Sequence, residues 1–264
     1  MKKILILTSS PRKSGNTNSI VKEVAAEIAA AGAAAKQGAG AATGTNAEAA
    51  AKPDAKAVAE RNAEPAFSCE IVDLTDLDIK PCLSCRCCQT DWDDYFCVQE
   101  DDLTCAGGTG DLTCVGGTRD ATCAESGESL ADKINSADML VLATPIYSWY
   151  CTPPMKALLD RCVYAFNKYY DDVSGTHGGE RGPALWAGKK VALITTCGYP
   201  PEQGADLLEE GLKRYCKHSQ LEFVGTLVER NAGYTRGFMD EEKVARAKAF
   251  ARGLLEKLQD NTHA

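Results

Sequence analysis

Apolar positions along this chain alternate between short unbroken runs and longer stretches spaced as one face of a helix. Ile4 to Leu7 is such a run, the mark of a parallel strand covered on both faces, and predicts a strand over 3–8. Ile20, Val24 and Ile28 then recur at helical spacing and predict a helix over 17–31. The same reading gives a strand at 67–73, a helix at about 127–136, a strand at 138–144 and a helix at 154–170. It continues with a strand at 190–196, a helix at 205–216, a strand at 221–229 and a helix at 240–259. Met155, Leu158, Leu159, Cys162, Val163 and Phe166 form the core stripe of one helix, and Val244, Ala247, Phe250, Leu254 and Leu258 that of the last. Strands and helices in alternation predict an α/β fold, a doubly wound five-stranded parallel sheet. In such a sheet ligands bind beyond the carboxyl ends of the strands, where the strand order reverses. The loops 9–16, 145–152 and 196–204 are therefore expected to converge.

The first loop is built for an anion. The hydroxyls of Ser9, Ser10, Ser14 and Thr17 surround the start of a helix, with Arg12, Gly15 and Asn16 between them. The N–H groups of a first helical turn lack intrahelical acceptors and attract a dianion. Asn16 or Thr17 suits the N-cap. No G-x-x-x-x-G-K-[ST] pattern is present, which disfavours a nucleoside triphosphate with magnesium, and no G-x-G-x-x-G follows the strand, which disfavours a dinucleotide. A terminal monophosphate fits.

The second loop, with Pro145, Ile146, Tyr147, Ser148 and Trp149, is aromatic at a strand end and suits a planar ring, with backbone amides to meet ring heteroatoms. The alternative is that Trp149 and Tyr150 seal a subunit contact, which does not exclude the first role. The third, with Thr196, Cys197, Gly198 and Tyr199, adds a glycine for close approach and a tyrosine for the ring's far edge.

Charge narrows the partners. A net charge of −8 with dispersed Lys and Arg argues against nucleic acid. No apolar run is long enough to span a bilayer, and the first residues read as a strand rather than a cleavable signal, so a cytoplasmic protein is expected. Thirteen cysteines in such a protein read poorly as a disulfide framework. Cys82, Cys85, Cys88 and Cys97 give C-x2-C-x2-C-x8-C. Three close thiols can hold corners of one [4Fe–4S] cluster while a fourth closes from a distance. Structural zinc more often uses two separated pairs, and free or redox-active thiols are the further alternative. Either Cys87 or Cys88 can be the third ligand in this register.

The chain resembles the flavodoxin-like NADPH-dependent FMN reductases, and within them the iron–sulfur flavoproteins. The residues that carry this are Ser10-Pro11-Arg12-Lys13-Ser14-Gly15-Asn16-Thr17, the run from Pro81-Cys82 through Cys97 to Asp101-Asp102, and Ala143-Thr144-Pro145-Ile146-Tyr147 leading to Met155-Lys156-Ala157-Leu158-Leu159-Asp160-Arg161. The resemblance implies FMN, its phosphate on residues 9–17 and its isoalloxazine against 145–149 and 196–199. It also implies a homo-oligomer with the site buried between subunits. Reduced nicotinamide, NAD(P)H, or a reduced ferredoxin would supply electrons, and a small molecule or a protein would accept them. Two further readings stay open: an FMN-only NAD(P)H reductase of quinone, nitro or azo compounds whose cysteines are thiols or a zinc site, and a non-catalytic electron carrier.

One flavodoxin-like domain over 1–264 is expected, with a cysteine loop at 81–102 and two departures from the family pattern. An Ala-rich insertion at 33–66 has few large apolar groups and is expected to be mobile. A second insertion at 103–126 repeats at nine residues around Cys105, Cys114 and Cys123 and reads as a duplicated surface loop. His177 is expected to be a solvent-exposed loop residue, and His218 and His263 are assigned no function.

Overall fold

A computed structural model describes residues 1–40, 67–90, 93–104, 128–169, 181–231 and 237–260. Most of the 33–66 insertion, nearly all of the 103–126 insertion, His177 and His263 lie outside the described residues.

The unbroken apolar run becomes β1 (Lys2–Thr8), which pairs in parallel with β2 (Phe67–Asp73) on one side and β3 (Met139–Pro145) on the other. The long chain segments between them form α1 (Asn16–Gly40) and α2 (Leu130–Ser136), the second opened by a capping box between Ser129 and Asp132. α3 (Pro153–Ala165) follows β3. Next come β4 (Asn167–Tyr169) and β5 (Arg181–Ala184), an antiparallel pair outside the main sheet. β6 (Lys190–Cys197) and β7 (Glu222–Arg230) complete the sheet, with α4 (Pro201–Gly204) and α5 (Asp206–His218) between them and α6 (Glu241–Gln259) last. The five parallel strands run β2-β1-β3-β6-β7. The chain leaves β1 in one direction for β2 and then crosses back to β3, so the order reverses between β1 and β3.

Two cores flank the sheet because strand residues alternate in direction. Ile4, Ile6, Val141 and Ile194 pack under Ile20, Val24 and Ile28 of α1 and Ala247, Ala251 and Leu254 of α6. Leu5, Leu7, Leu140, Leu142 and Leu193 face Leu130 and Ile134 of α2, Met155, Leu158 and Cys162 of α3, and Leu208 and Leu212 of α5. Each large aliphatic side chain so buried stabilises the fold by about 1.5–3 kcal/mol.

Two expectations need correction. α1 runs to Gly40, nine residues past its predicted end, because its alanine-rich continuation has high helix propensity. Gly32 within it touches the start of β2 so closely that a Cβ there would lie 2.5 Å from the Phe67 carbonyl oxygen. The helix predicted to 170 ends at Ala165, and Asn167–Tyr169 turns into a strand instead. Gln89 receives the Tyr169 amide at 2.9 Å and donates to the Asn167 carbonyl at 3.0 Å, while the Asn167 side chain accepts from Trp186 Nε1 at 3.0 Å. These long-range bonds outweigh continuation of the helical period.

Candidate functional site

The turn after β1 is braced from within. Thr8 Oγ1 donates to Asn18 Oδ1 at 2.5 Å, and Asn18 Nδ2 donates back to the Arg12 carbonyl at 3.1 Å. The Gly15 amide also bonds the Arg12 carbonyl, at 2.8 Å. A Cβ on Gly15 would stand 2.9 Å from Arg12 Cβ and from the Arg12 oxygen, so this approach requires glycine. Ser10 Oγ donates to the Arg12 carbonyl at 3.3 Å. Arg12 and Ser14 are exposed, Gly15 and Asn16 half-buried, at the start of α1 where unpaired first-turn amides concentrate.

Lys13 is turned away from this turn. Its Nζ bonds Asp73 at 2.7 Å, Asp76 at 2.5 Å and Thr75 Oγ1 at 2.9 Å. Asp73 sits below the usual carboxylate pKa: partial burial opposes this, but bonds from Lys13 and Thr75 prevail. Arg12 is thus the cation of the turn not drawn into this cluster.

Hydroxyl pairs tie the three loops together. Ser9 is fully buried; Thr152 Oγ1 donates to its Oγ at 2.6 Å, and the Ser9 amide bonds the Ala143 carbonyl at 2.9 Å. Thr17 Oγ1 lies 2.8 Å from Thr196 Oγ1, both buried. The Ile146 amide donates to the Thr196 carbonyl at 2.9 Å, and Thr195 Oγ1 to the Thr144 carbonyl at 2.7 Å. The predicted loops 9–17, 145–149 and 196–199 therefore share one end of the sheet. The braces Asn18, in the first turn of α1, Thr144, at the end of β3, and Thr152, the N-cap of α3, were missed by sequence reasoning; small polar residues flanking apolar runs were the available signal.

After β3 the chain makes a tight reversal. Tyr147 and Tyr150 exchange backbone bonds at 2.8 and 3.0 Å, with Ser148 (φ 48°) and Trp149 (φ 67°) both left-handed between them. That is the two-residue geometry usually met with Asn-Gly, and side-chain-bearing residues adopt it at a conformational cost of order 1–3 kcal/mol each. Trp149 is held by Nε1 donating to the Gln203 carbonyl at 3.1 Å and by stacking on Tyr199, ring centroids 6.2 Å apart. Tyr147, Trp149, Tyr150 and Tyr199 are each about half exposed, leaving a rim of aromatic faces beside the crevice. Cys197 is buried, its thiol 3.2 Å from the Tyr199 carbonyl, and burial pushes its pKa up.

The cysteine loop hangs from two stems. Asp101 accepts from the Lys80 amide at 2.9 Å, and Asp102 from the Asp78 amide at 2.7 Å. Arg161 of α3 pairs with Asp101, both almost wholly buried, and also donates to the carbonyls of Lys80 at 3.4 Å and Gln99 at 3.3 Å. Between the stems Ser84 and Arg86 take left-handed backbone. Cys82, Cys85, Cys88 and Cys97 line one small cavity, about 20 Å³, with Arg161 and Tyr164; Cys87 is not in its lining. Lys168, fully buried, donates to the Cys88 carbonyl at 2.9 Å. Burial raises the Cys88 pKa. Burial also works against the Arg161 charge, but Cys97 and Asp101 beside it prevail and raise its pKa. Among the described residues no three Cys, His, Asp or Glu side chains form a ready-made metal set.

A five-stranded parallel sheet of this order, with its hydroxyl-bearing loops gathered at the switch point, places the chain in the flavodoxin-like α/β class. The chain belongs to the NADPH-dependent FMN reductase family, whose model matches residues 2–216, and so to the NAD(P)H-linked flavin oxidoreductases. No curated protein sequence matches it. Among solved structures it is similar to an NAD(P)H:quinone oxidoreductase from Methanothermobacter marburgensis, at 14% identity over 96% of this chain and 98% of that one, with a TM-score of 0.54. It is also similar to RosB holding 8-demethyl-8-formylriboflavin-5'-phosphate, at 17% identity over 100% of this chain and 82% of that one, TM-score 0.52. These identities establish the fold alone. No helix among the described residues is long and apolar enough to cross a membrane.

Proposed function

We propose that the protein is an FMN-dependent oxidoreductase that takes electrons from NAD(P)H and passes them to a flat acceptor such as a quinone or azo compound. The observation that carries this reading is the convergence of the residue 9–17 turn with the 145–149 and 196–199 loops, tied by Thr17–Thr196 and Ser9–Thr152. The close Arg12–Gly15 approach and the helix start behind it suit a phosphate, which the exposed Ser14 and Arg12 would also reach. FMN, when bound, supplies the hydride and electron chemistry. This chain's residues bind and orient: first-turn amides and hydroxyls hold the phosphate, the Pro145–Trp149 and Thr196–Tyr199 loops offer backbone donors and ring faces to the isoalloxazine, and the aromatic rim shields it from water. None of the residues predicted at the site needs to act as an acid or base. The exposed Tyr147, Trp149, Tyr150 and Tyr199 also support a homo-oligomer closing over the crevice.

The iron–sulfur branch is a second reading, favoured by the common cavity of Cys82, Cys85, Cys88 and Cys97 with a buried cation beside it. A single tetrahedral ion needs four sulfurs about 2.3 Å from one point, whereas a cluster takes thiolates at separate corners. The C-x2-C-x2-C-x8-C spacing on one cavity lining favours the second over a single ion, and a cavity of about 20 Å³ requires the loop to open before it holds a cluster. A cluster there would add one-electron transfer to the flavin's chemistry. α3 starts at Pro153 beside the ring loop and carries Arg161 eight residues further, about 12 Å along its axis.

Steady-state oxidation of NADH and NADPH by FMN-loaded protein, with a quinone and an azo dye as acceptors, tests the first reading. Acceptor-dependent turnover is expected; FMN-loaded protein that oxidises neither nucleotide contradicts it. Iron and acid-labile sulfide per chain after anaerobic purification test the second, and their absence after reconstitution leaves the FMN-only enzyme.

A further inference from the structure

We propose that Arg230 binds a phosphate of the nicotinamide nucleotide and so sets the protein's choice of electron donor. This rests on the reading of the protein as an FMN-dependent NAD(P)H oxidoreductase.

β7 is the edge strand beside β6, and its last residue, Arg230, pairs in register with Cys197, where the third loop of the crevice begins. The Asn231 amide donates to the Cys197 carbonyl at 2.8 Å, so the pairing holds past the end of the strand. Successive strand residues point to opposite faces of the sheet. Glu229 points inward, 3% exposed, and accepts from Arg246 Nε and Nη2 at 2.7 and 2.9 Å. Arg230 takes the other direction and is exposed. Its Nε donates to the Gly198 carbonyl at 3.2 Å, which fixes the guanidinium against the 196–199 loop.

Only Nε is engaged. Both Nη groups lack a hydrogen-bond partner among the described residues, and no carboxylate pairs with Arg230 there. Burial is the main cause of the raised Cys197 pKa; Arg230 opposes it and Glu202 adds to it, yet no ion pair joins those two among the described residues. Other cations at this end of the sheet are taken: Lys13 by Asp73 and Asp76, Lys156 by Asp160, Arg246 by Glu229. A planar fork with one nitrogen anchored and two turned outward is prepared for a pair of phosphate oxygens.

Position decides which phosphate. Arg230 stands three strands from β1, about 14 Å at the usual strand spacing, and so far from the turn that suits the FMN phosphate. It lies one strand beyond the loop that would meet the ring. A nicotinamide stacked on that ring sends its phosphates outward past the ring's edge, whereas a quinone or azo acceptor offers the fork no such dianion. Gly198 carries no side chain, and a Cβ there would meet nothing within 4 Å, so the approach beside the fork is open.

The test uses the full chain loaded with FMN, a quinone at saturation and three donors: NADPH, NADH and N-benzyl-1,4-dihydronicotinamide, which has no phosphate. Arg230→Gln is expected to raise KM about ten- to a hundredfold for a nucleotide whose phosphate meets the fork, with kcat largely kept. Arg230→Lys should recover part of the loss. A rise for NADPH alone assigns the 2′-phosphate, and a rise for both nucleotides assigns the pyrophosphate they share. Turnover of the phosphate-free donor should be equal in parent and variant. Unchanged KM for both nucleotides overturns the proposal. An equal fall with all three donors also overturns it, because loss of the Gly198 bond would then have disturbed the loop itself. If the unsubstituted, FMN-loaded protein oxidises none of the three, the oxidoreductase reading fails, and this inference with it.

Discussion

Thr17→Val should destabilise the protein through a residue 179 positions away. Thr17 Oγ1 and Thr196 Oγ1 lie 2.8 Å apart and are both buried, so each hydroxyl satisfies the other where β1's turn meets the end of β6. Valine matches threonine in shape, so the substitution leaves little cavity. It strips Thr196 of its partner, and an orphaned buried hydroxyl costs about 1–3 kcal/mol. Thr196→Val should cost a similar amount for the mirror reason. In the double variant both polar groups are gone and the packing is kept, so the total loss should be smaller than the sum of the singles by about 1–3 kcal/mol. Urea unfolding of the FMN-free protein reads this directly from transition midpoints at a constant slope. Additive losses would refute the reasoning, since they would mean the two hydroxyls do not depend on each other.

Three other outcomes follow from the same geometry. Gly15→Ala forces a Cβ into 2.9 Å contact with Arg12 and should weaken FMN binding at least tenfold, as fluorescence titration would show, with the unfolding free energy changed by no more than about 1–3 kcal/mol. Asp73 is held below its ordinary pKa of 3.8, so its stabilisation is complete above about pH 4 and fades as pH falls through the lowered value. Asp73→Asn should thus be less stable than the parent at pH 7, and the difference should vanish in acid. Thiol labelling of folded, iron-free protein at pH 8 should modify exposed Cys85 quickly and spare Cys162 and Cys216, whose pKa values burial pushes up to about 12.

The sheet was legible because its signal is local. Runs such as Ile4 to Leu7 and stripes such as Met155, Leu158 and Cys162 reflect burial on fixed faces, and burial is what the sheet preserves. The turn after β1 was placed by the same local signal, hydroxyls and a glycine between a buried strand and a helix; that it holds a phosphate is the reading proposed above. What could not be read depends on distant partners. The strand at Asn167 replaces helix because Gln89 and Trp186 reach it from far along the chain. Lys13 stands within the same turn in sequence, yet its side chain goes to Asp73 and Asp76, which lie sixty or more residues away. The sequence does not distinguish Cys87 from Cys88; in the folded loop Cys88 lines the cavity and Cys87 is not in its lining. Arg161 appeared only as part of a helical motif; its burial against Asp101 is a tertiary fact.

The most direct measurement compares FMN with riboflavin, which lacks only the phosphate. With the turn around Gly15 and the start of α1 as the anchor, two or more charge-assisted hydrogen bonds at about 1.5–3 kcal/mol each should make FMN bind at least about a hundredfold more tightly. Equal affinities for the two, or no binding of either by natively folded protein, would contradict the account.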